Sequence, residues 1–394
     1  MNTPSTEPHP NSNIQTIHWV ENDQTHSMQW HSESGAPAPK RVQIADDTLN
    51  ADTAYKLACE GVALLWRGDF QNARQLLQAI ARRIDHKKLK KSAKKKQDNL
   101  TARDTFNLYR LAQSQRARTL AMILIPFEAD YHIPLRRSPN VKQACEEAYG
   151  AFQAPFIASL RELLGVVGAH EWRKNGVEIA ALGKKIYPHY GVFSPVRGEY
   201  LKLIANAPFP STELAFDIGT GTGVIAAILA QRGIQKIIAT DFDQRAIDCA
   251  QENIKALDIA HQVQLCQTDL FPEGRAPLIV CNPPWIPARP NSPIEYAVYD
   301  PESRMVRGFL SQAAAHLTSN GEAWLIMSNL AELLGLRAET DICTWIAEGG
   351  LSLIEKHDIQ PEHNKAADIS DPLHFARAAE VTSLWRLKSN SSQP

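Results

Sequence analysis

Leu214-Ala215-Phe216-Asp217-Ile218-Gly219-Thr220-Gly221-Thr222-Gly223 is the stretch on which the reading of this chain turns. A short apolar run closes on Asp217 and Ile218, a glycine-rich turn comes next, and Val224-Ile225-Ala226-Ala227-Ile228-Leu229-Ala230 reads as a helix. Strand, tight glycine turn and helix bring backbone close to a nucleotide-like ligand in α/β folds. Glycine suits such a turn because it tolerates positive φ and holds nothing between backbone and ligand. A plain strand-to-helix turn has the same pattern, so the stretch gains its meaning from the residues downstream of it.

Downstream lies a series of apolar runs, each ending on a polar group. Lys236-Ile237-Ile238-Ala239-Thr240 ends at Asp241, placed to accept the ribose hydroxyls of an adenosine. Val263-Gln264-Leu265-Cys266 leads to Thr268-Asp269-Leu270-Phe271. Asp269 is a candidate acceptor for an adenine amino group, with Leu270 beside it and Phe271 covering the ring; the plainer reading of Asp269 is a turn or helix cap. Pro277-Leu278-Ile279-Val280-Cys281 then ends in Asn282-Pro283-Pro284-Trp285. Two prolines stop a strand ladder and bias the residues before them towards extended backbone. The turn exposes the Asn282 amide and the Pro283 carbonyl at the carboxyl edge of a sheet, with the flat face of Trp285 beside them. Two acceptors and a plane suit a planar NH2 group.

The set Asp217-x-Gly219-Thr220-Gly221-x-Gly223, Asp241, Asp269 and Asn282-Pro283-Pro284-Trp285 resembles the class I S-adenosylmethionine-dependent methyltransferases. Within them it is similar to the N-methyltransferase branch signed (N/D/S)-P-P-(Y/F/W), which holds DNA and RNA adenine methyltransferases, the small-domain ribosomal RNA guanine methyltransferases and the HemK-like glutamine methyltransferases of release factors. The resemblance covers about residues 185–390. It implies S-adenosylmethionine as cofactor, no metal, Asn282, Pro283, Pro284 and Trp285 as the catalytic group, and a lid in which Phe193 helps cover the cofactor. A dehydrogenase shares the glycine turn, but Asn-Pro-Pro-Trp has no role in hydride transfer.

The expected architecture is a Rossmann-like, doubly wound sheet of seven strands over 177–390. Strands are expected near 214–218, 236–240, 262–266, 277–281, 322–328, 351–356 and 381–387, with a strand pair at 177–182 and 185–187 and a helix from 196 to 205. Asp300 and Arg304 are expected to form a local ion pair or to cap a helix over 302–317. Upstream, residues 1–46 read as a disordered tail, rich in Ser, Thr, Asn, His and Pro. Residues 47–170 read as an α-helical substrate-binding domain, opening with a helical hairpin over 53–84.

Within that domain, residues 82–118 carry thirteen Lys and Arg against three acids in a chain whose net charge is −1. Its core, Lys87 to Lys96, reads as a loop or frayed helix. Like-charge runs of this density are often interaction arms, and phosphate is their natural partner. RNA or DNA is the partner so implied; a release factor is the alternative, and a non-catalytic RNA-binding module the least favoured reading. Six scattered cysteines lack zinc spacing and read as reduced residues of a cytoplasmic protein. No apolar run approaches the 18 or so residues of a membrane span. Oligomeric state has no signature here.

Overall fold

The computed structural model describes residues 15–92, 100–151, 154–195, 198–290, 295, 297–362 and 367–390. Two compact units emerge, one of residues 1–96 and 113–167, the other of 97–112 and 168–394.

The first unit departs from the sequence reading. It is α/β, built on a six-stranded sheet. Its strands are β1 (Thr16–Glu21), β2 (Gln24–Trp30), β3 (Arg41–Ala45), β4 (Val62–Trp66), β5 (Ile123–Phe127) and β6 (Phe156–Ser159). Helices α1 (Ala51–Cys59), α2 (Phe70–Ser92), α3 (Ala102–Leu120), α4 (Lys142–Tyr149) and α5 (Leu160–Asn175) lie among them in sequence; α3 and α5 each cross the division between units. The sheet order is β1-β2-β6-β5-β4-β3.

The expected tail is therefore structured over residues 16–45, and only 1–14 lie outside the described residues. Polar composition concealed a period of two: Ile17 and Trp19 point into the core while Thr16, His18 and Val20 face out. The expected hairpin over 53–84 fails for the complementary reason. Ala54, Leu57, Ala58, Val62 and Leu65 keep helical spacing on paper, but Gly61, at φ 76°, ends the helical stretch. Val62 and Leu65 then belong to β4, whose last four residues are buried. Short apolar runs suit a buried strand as well as a helix, and β4, β5 and β6 are all of this kind. The lysine-rich stretch is helical as far as Ser92 in α2; residues 93–99 lie outside the described residues.

The second unit follows expectation. After a β7–β8 pair (Val177–Ile179 and Lys184–Ile186) come α6 (Glu199–Asn206), β9 (Leu214–Ile218), α7 (Val224–Gln231), β10 (Lys236–Asp241), α8 (Gln244–Ala256), β11 (Val263–Gln267) and β12 (Ala276–Cys281). Next are α9 (Arg304–His316), β13 (Leu317–Ser328), α10 (Leu330–Leu333), α11 (Asp341–Glu348), β14 (Leu351–Ile359), α12 (His374–Ala378) and β15 (Thr382–Ser389). The sheet order is β11-β10-β9-β12-β13-β15-β14. The first five strands pair parallel, and β15 runs antiparallel to both β13 and β14.

Strand order reverses between β9 and β12, which is where open α/β sheets bind ligands. One hydrophobic cluster packs α6 and α7 against one face of this sheet, and a second packs α9 and α11 against the other.

Helices α9 and α11 approach closely enough that a Cβ on Gly349 would run into the Leu310 carbonyl oxygen. Gly349→Ala is expected to destabilise the chain by roughly 1–3 kcal/mol, the usual range for overpacking. Urea unfolding reads this as a lower midpoint, and an unchanged midpoint rejects the tight contact.

Candidate functional site

Register places the two key turns side by side. Cys281 of β12 pairs with Ile218 of β9, so Asn282 and Gly219 leave neighbouring strands together. On the other flank, Thr240 of β10 also pairs with Ile218. The carboxyl ends of three adjacent strands thus carry the glycine turn, Asp241 and the Asn-Pro-Pro-Trp turn.

The glycine turn is built on three left-handed residues, Gly219 at φ 73°, Gly221 at 55° and Gly223 at 79°. Other residues adopt this region rarely, which accounts for glycine at all three positions. A Cβ on Gly221 would meet nothing within 4 Å, so this glycine faces open space. The turn is pinned from several sides. Thr220 N–H donates to the Thr240 carbonyl at 2.8 Å, Gly223 N–H to the Thr220 carbonyl at 2.9 Å, and Gly221 N–H to Asp241 Oδ2 at 3.0 Å. Thr220 donates its hydroxyl to Asp217 Oδ2 at 2.7 Å, so its side chain serves the turn.

Asp217 is fully buried. Its Oδ2 also accepts Ala226 N–H, in the first turn of α7, at 3.1 Å. Its Oδ1 is buried with no hydrogen-bond partner among the described residues. Burial pushes the Asp217 carboxyl up to about 7, against the lowering effect of the Thr220 and Ala226 hydrogen bonds. Asp241 is likewise raised by burial. Its Oδ1 accepts Asp243 N–H at 3.0 Å, so each of its oxygens holds one backbone donor and keeps further capacity to accept. A buried acid with an orphaned oxygen and a half-buried one, both around a glycine turn, fit a ligand that is cationic and carries ribose hydroxyls.

The remaining expected residues divide. Asp269 is well exposed and pairs with exposed Arg304 at 2.5 Å. Arg304 therefore bonds Asp269, and Asp300 takes the capping role: it accepts the N–H groups of Met305 and Val306 at the start of α9. Leu270 has φ 67°, and its carbonyl accepts the Thr240 hydroxyl at 2.6 Å, so backbone geometry and not its side chain sets this corner. Phe271 does not cover a ligand. It is buried, stacked on Phe309 with centroids 5.7 Å apart and on His316 at 4.5 Å. Phe193 remains exposed and available as a cover.

The segment carrying Phe193 is held onto α8. Tyr187 N–H donates to Asn253 Oδ1 at 2.6 Å, and the same amide donates to the Thr222 carbonyl at 3.0 Å, so one buried asparagine ties this segment to the glycine turn. Two further residues escaped the sequence reading. Phe242 comes directly after Asp241 and is 65% exposed, where an adenine-sized ring beside the Asp241 carboxylate would need cover. An apolar residue straight after the strand-end acid was its signal. Tyr200 lies in the apolar stripe of α6 and reads as core until its ring is seen edge-on to Trp285.

At the fourth turn, Pro283 is buried while Asn282, Pro284 and Trp285 are half-buried. Trp285 Nε1–H donates to Asn282 Oδ1 at 3.1 Å. Its ring lies edge-on to Tyr200, with centroids 6.3 Å apart and planes at 85°. Tyr200 is buried, which raises its phenol. Among the described residues no group of three His, Cys, Asp or Glu could hold a metal, and no helix is long and apolar enough to cross a membrane.

Known proteins carry the same region. The family described as Methyltransferase small domain matches residues 185–334. A release factor glutamine methyltransferase of Cereibacter sphaeroides is 43% identical over 198 residues, 49% of this chain and 63% of that protein. A tRNA1(Val) (adenine(37)-N6)-methyltransferase of Erwinia tasmaniensis is 41% identical over 88 residues, 21% of this chain and 36% of that one. A putative protein N5-glutamine methyltransferase of Methanocaldococcus jannaschii is 29% identical over 121 residues, 30% of this chain and 59% of that one. The chain thus spans 36% to 63% of the length of these relatives. The stretch similar to the methyltransferase small domain family, residues 185–334, holds five of the seven strands of the second sheet, β9 to β13.

Proposed function

We propose that this protein is an S-adenosylmethionine-dependent N-methyltransferase acting on a planar NH2 nitrogen, with a nucleobase amine of RNA or DNA as the substrate. The observation that carries the reading is the pairing of the Asn282 amide with the glycine turn, buried Asp217 and half-buried Asp241 at the point where strand order reverses. The two relatives named for a glutamine and the one named for an adenine share the chemistry this pairing serves, a nitrogen whose lone pair is delocalised.

S-adenosylmethionine, when bound, supplies an activated sulfonium methyl. The chain does the rest. Asp241 accepts from the ribose, Asp217 Oδ1 takes the methionine ammonium, Phe242 and Phe193 exclude water from the adenosine, and Asp269 and Leu270 border the adenine. Asn282 Oδ1 and the Pro283 carbonyl accept the two N–H bonds of the target, draw its nitrogen towards sp³ and stabilise the charge that develops. This is positioning plus electrostatic preorganisation. Pro284 stiffens the turn and Trp285 forms one wall of the target pocket. A base in a duplex must be flipped out to reach it.

Charge favours the nucleic acid. Thirteen Lys and Arg against three acids over 82–118 predict affinity that falls steeply with salt. Two of these arginines are already paired within the first unit, Arg83 with Asp52 and Arg116 with Asp85. The runner-up is a protein glutamine amide of release-factor type. It is favoured by the tethering of the Trp285 ring through its own N–H, because an amide side chain asks less of a stacking face than a base does. The reading places the protein in the cytoplasm.

Labelled cofactor, purified protein and a cell extract divided among RNase, DNase and protease test this. Label lost with a nuclease supports the nucleobase, label lost only with protease moves the target to a protein amide, and no macromolecular label overturns both. Asp241→Ala is expected to weaken cofactor binding at least about tenfold, through loss of charge-assisted hydrogen bonds. Isothermal titration reads it, and unchanged affinity removes Asp241 from the ribose.

A further inference from the structure

We infer that Arg110 of α3 is a positioning residue for the methyl acceptor: it clasps together the two limbs of chain that follow the Asn-Pro-Pro-Trp turn, and so fixes the wall that Trp285 gives the target pocket. The inference rests on the methyl-transfer reading of that turn, but the residues that carry it lie outside the turn. In sequence Arg110 is one of the thirteen basic residues of 82–118, upstream of the matched stretch 185–334. In space residues 97–112 belong to the second unit.

The first half of α3 is a fixed platform. Thr101 and Asp104 cap its start reciprocally: Asp104 N–H donates to the Thr101 hydroxyl at 3.1 Å, and Thr101 N–H to Asp104 Oδ2 at 3.2 Å. Buried Phe106 then packs in one apolar cluster with Leu334 and Leu373, and with Trp285, Ile286 and Tyr299 of the chain that leaves the turn.

That chain doubles back on itself. Ile286 N–H donates to the Val298 carbonyl at 3.3 Å, and Asp300 N–H to the Ile286 carbonyl at 2.9 Å, so the limb that starts at Ile286 meets the limb that ends at Tyr299. Arg110 holds both. Its Nη2 donates to the Arg289 carbonyl at 2.6 Å, and its guanidinium carbon lies 4.0 Å from the centroid of the Tyr299 ring. A planar guanidinium can stack on a ring with its face while its edge donates to a carbonyl; an ammonium has no such fork. Charge is the lesser part of the grip. The Glu295 carboxylate stands 3.6 Å from Nη1, which makes no hydrogen bond among the described residues. Trp285 directly precedes the first limb, so slack between Arg289 and Tyr299 becomes slack in the pocket wall.

The test uses the full-length chain as wild type, Arg110→Ala, Arg110→Lys and Glu295→Gln, with labelled cofactor and the extract fraction that accepts label from wild type. Both Arg110 variants are expected to lower kcat/KM for the acceptor about tenfold or more, mostly through KM, as the loss of a substrate-positioning group does. Cofactor affinity stays within about twofold. Glu295→Gln is expected to keep kcat/KM within about twofold, because an ion pair this loose and partly exposed contributes little. Hydrogen exchange, read by mass spectrometry on the peptide across 285–300, is expected to quicken about tenfold in both Arg110 variants.

Wild-type kcat/KM in Arg110→Ala overturns the inference, and so does unchanged exchange. A wild-type Arg110→Lys beside an impaired Arg110→Ala also overturns it, because charge alone then suffices and a phosphate of the acceptor is its partner. Cofactor affinity lost along with the rate overturns it too, by making Arg110 a residue of general stability. Should Arg110→Ala not fold, Arg110→Lys decides alone, by the same three readouts. Failure of the function reading looks different: wild type labels no fraction while exchange still quickens in the variants. The clasp is then real and its acceptor is gone.

Discussion

Asn282→Ala is expected to lower methyl transfer by about a thousandfold while leaving cofactor affinity within about twofold, the scale seen when one preorganised polar group is removed from a developing charge. The argument is local. Asn282 stands on the strand end next to the glycine turn, but the backbone groups and acids proposed to hold the cofactor belong to β9, β10 and the turn after β9. Removing the amide leaves that cradle intact and takes one of the two acceptors from the target nitrogen. It also strands the indole N–H of Trp285, which loses its acceptor. Single-turnover transfer and calorimetric titration of the cofactor check the two halves separately. Retained turnover sinks the proposed mechanism; lost cofactor binding shows instead that Asn282 belongs to the cradle.

If Asp217 receives the cationic end of the cofactor as proposed, cofactor affinity is expected to rise about tenfold per pH unit from about pH 5 to 7 and to level off above, because burial has pushed its carboxyl up to about 7 and the charged form is the one that binds. The free protein runs the opposite way. Its Asp217 holds a proton that the unfolded chain has already released above the ordinary carboxylate range. This contribution to stability is full below that range, is lost as pH rises towards about 7, and stays lost above. Asp217→Asn is expected to abolish both dependences. Its oxygen would face Ala226 N–H, leaving an NH2 group where Oδ1 stood unpartnered, and a donor there repels an ammonium. Affinity of that variant should match wild type near pH 5 and fall about a hundredfold behind it at pH 7. A pH-independent wild-type affinity removes Asp217 from the ligand.

The catalytic unit was legible because its signals are local and regular. Strands β9, β10, β11, β12 and β15 begin and end within about two residues of where apolar runs meet glycine, proline or acid. Two strands depart further: β14 runs three residues past 356 to Ile359, and β13 starts at Leu317 and not at 322, its first residues running extended where the preceding helix was expected to end. The first unit was misread for want of such markers. Its first two strands, β1 and β2, are mostly polar, and its central strands are apolar runs too short to distinguish from a helix.

From sequence alone came the residue types and the order of the second sheet: three left-handed glycines, an acid after each of two strands, and an asparagine held by two prolines, all set by backbone constraints that act within a few residues. Tertiary structure alone decided which groups were left over for a ligand. Phe271 and Phe242 are equally apolar and each follows a strand of the sheet, yet packing against Phe309 and His316 buries the first while the second stays 65% exposed. Thr220 and Asp217 are both polar, but one satisfies the other and leaves a single buried oxygen without a partner. Tyr200 and Trp285 lie 85 positions apart in the chain, yet their rings meet edge-on and the indole N–H reaches the Asn282 amide. Hydrogen-bond capacity and burial are shared out among neighbours in space, and sequence order does not say who those neighbours are.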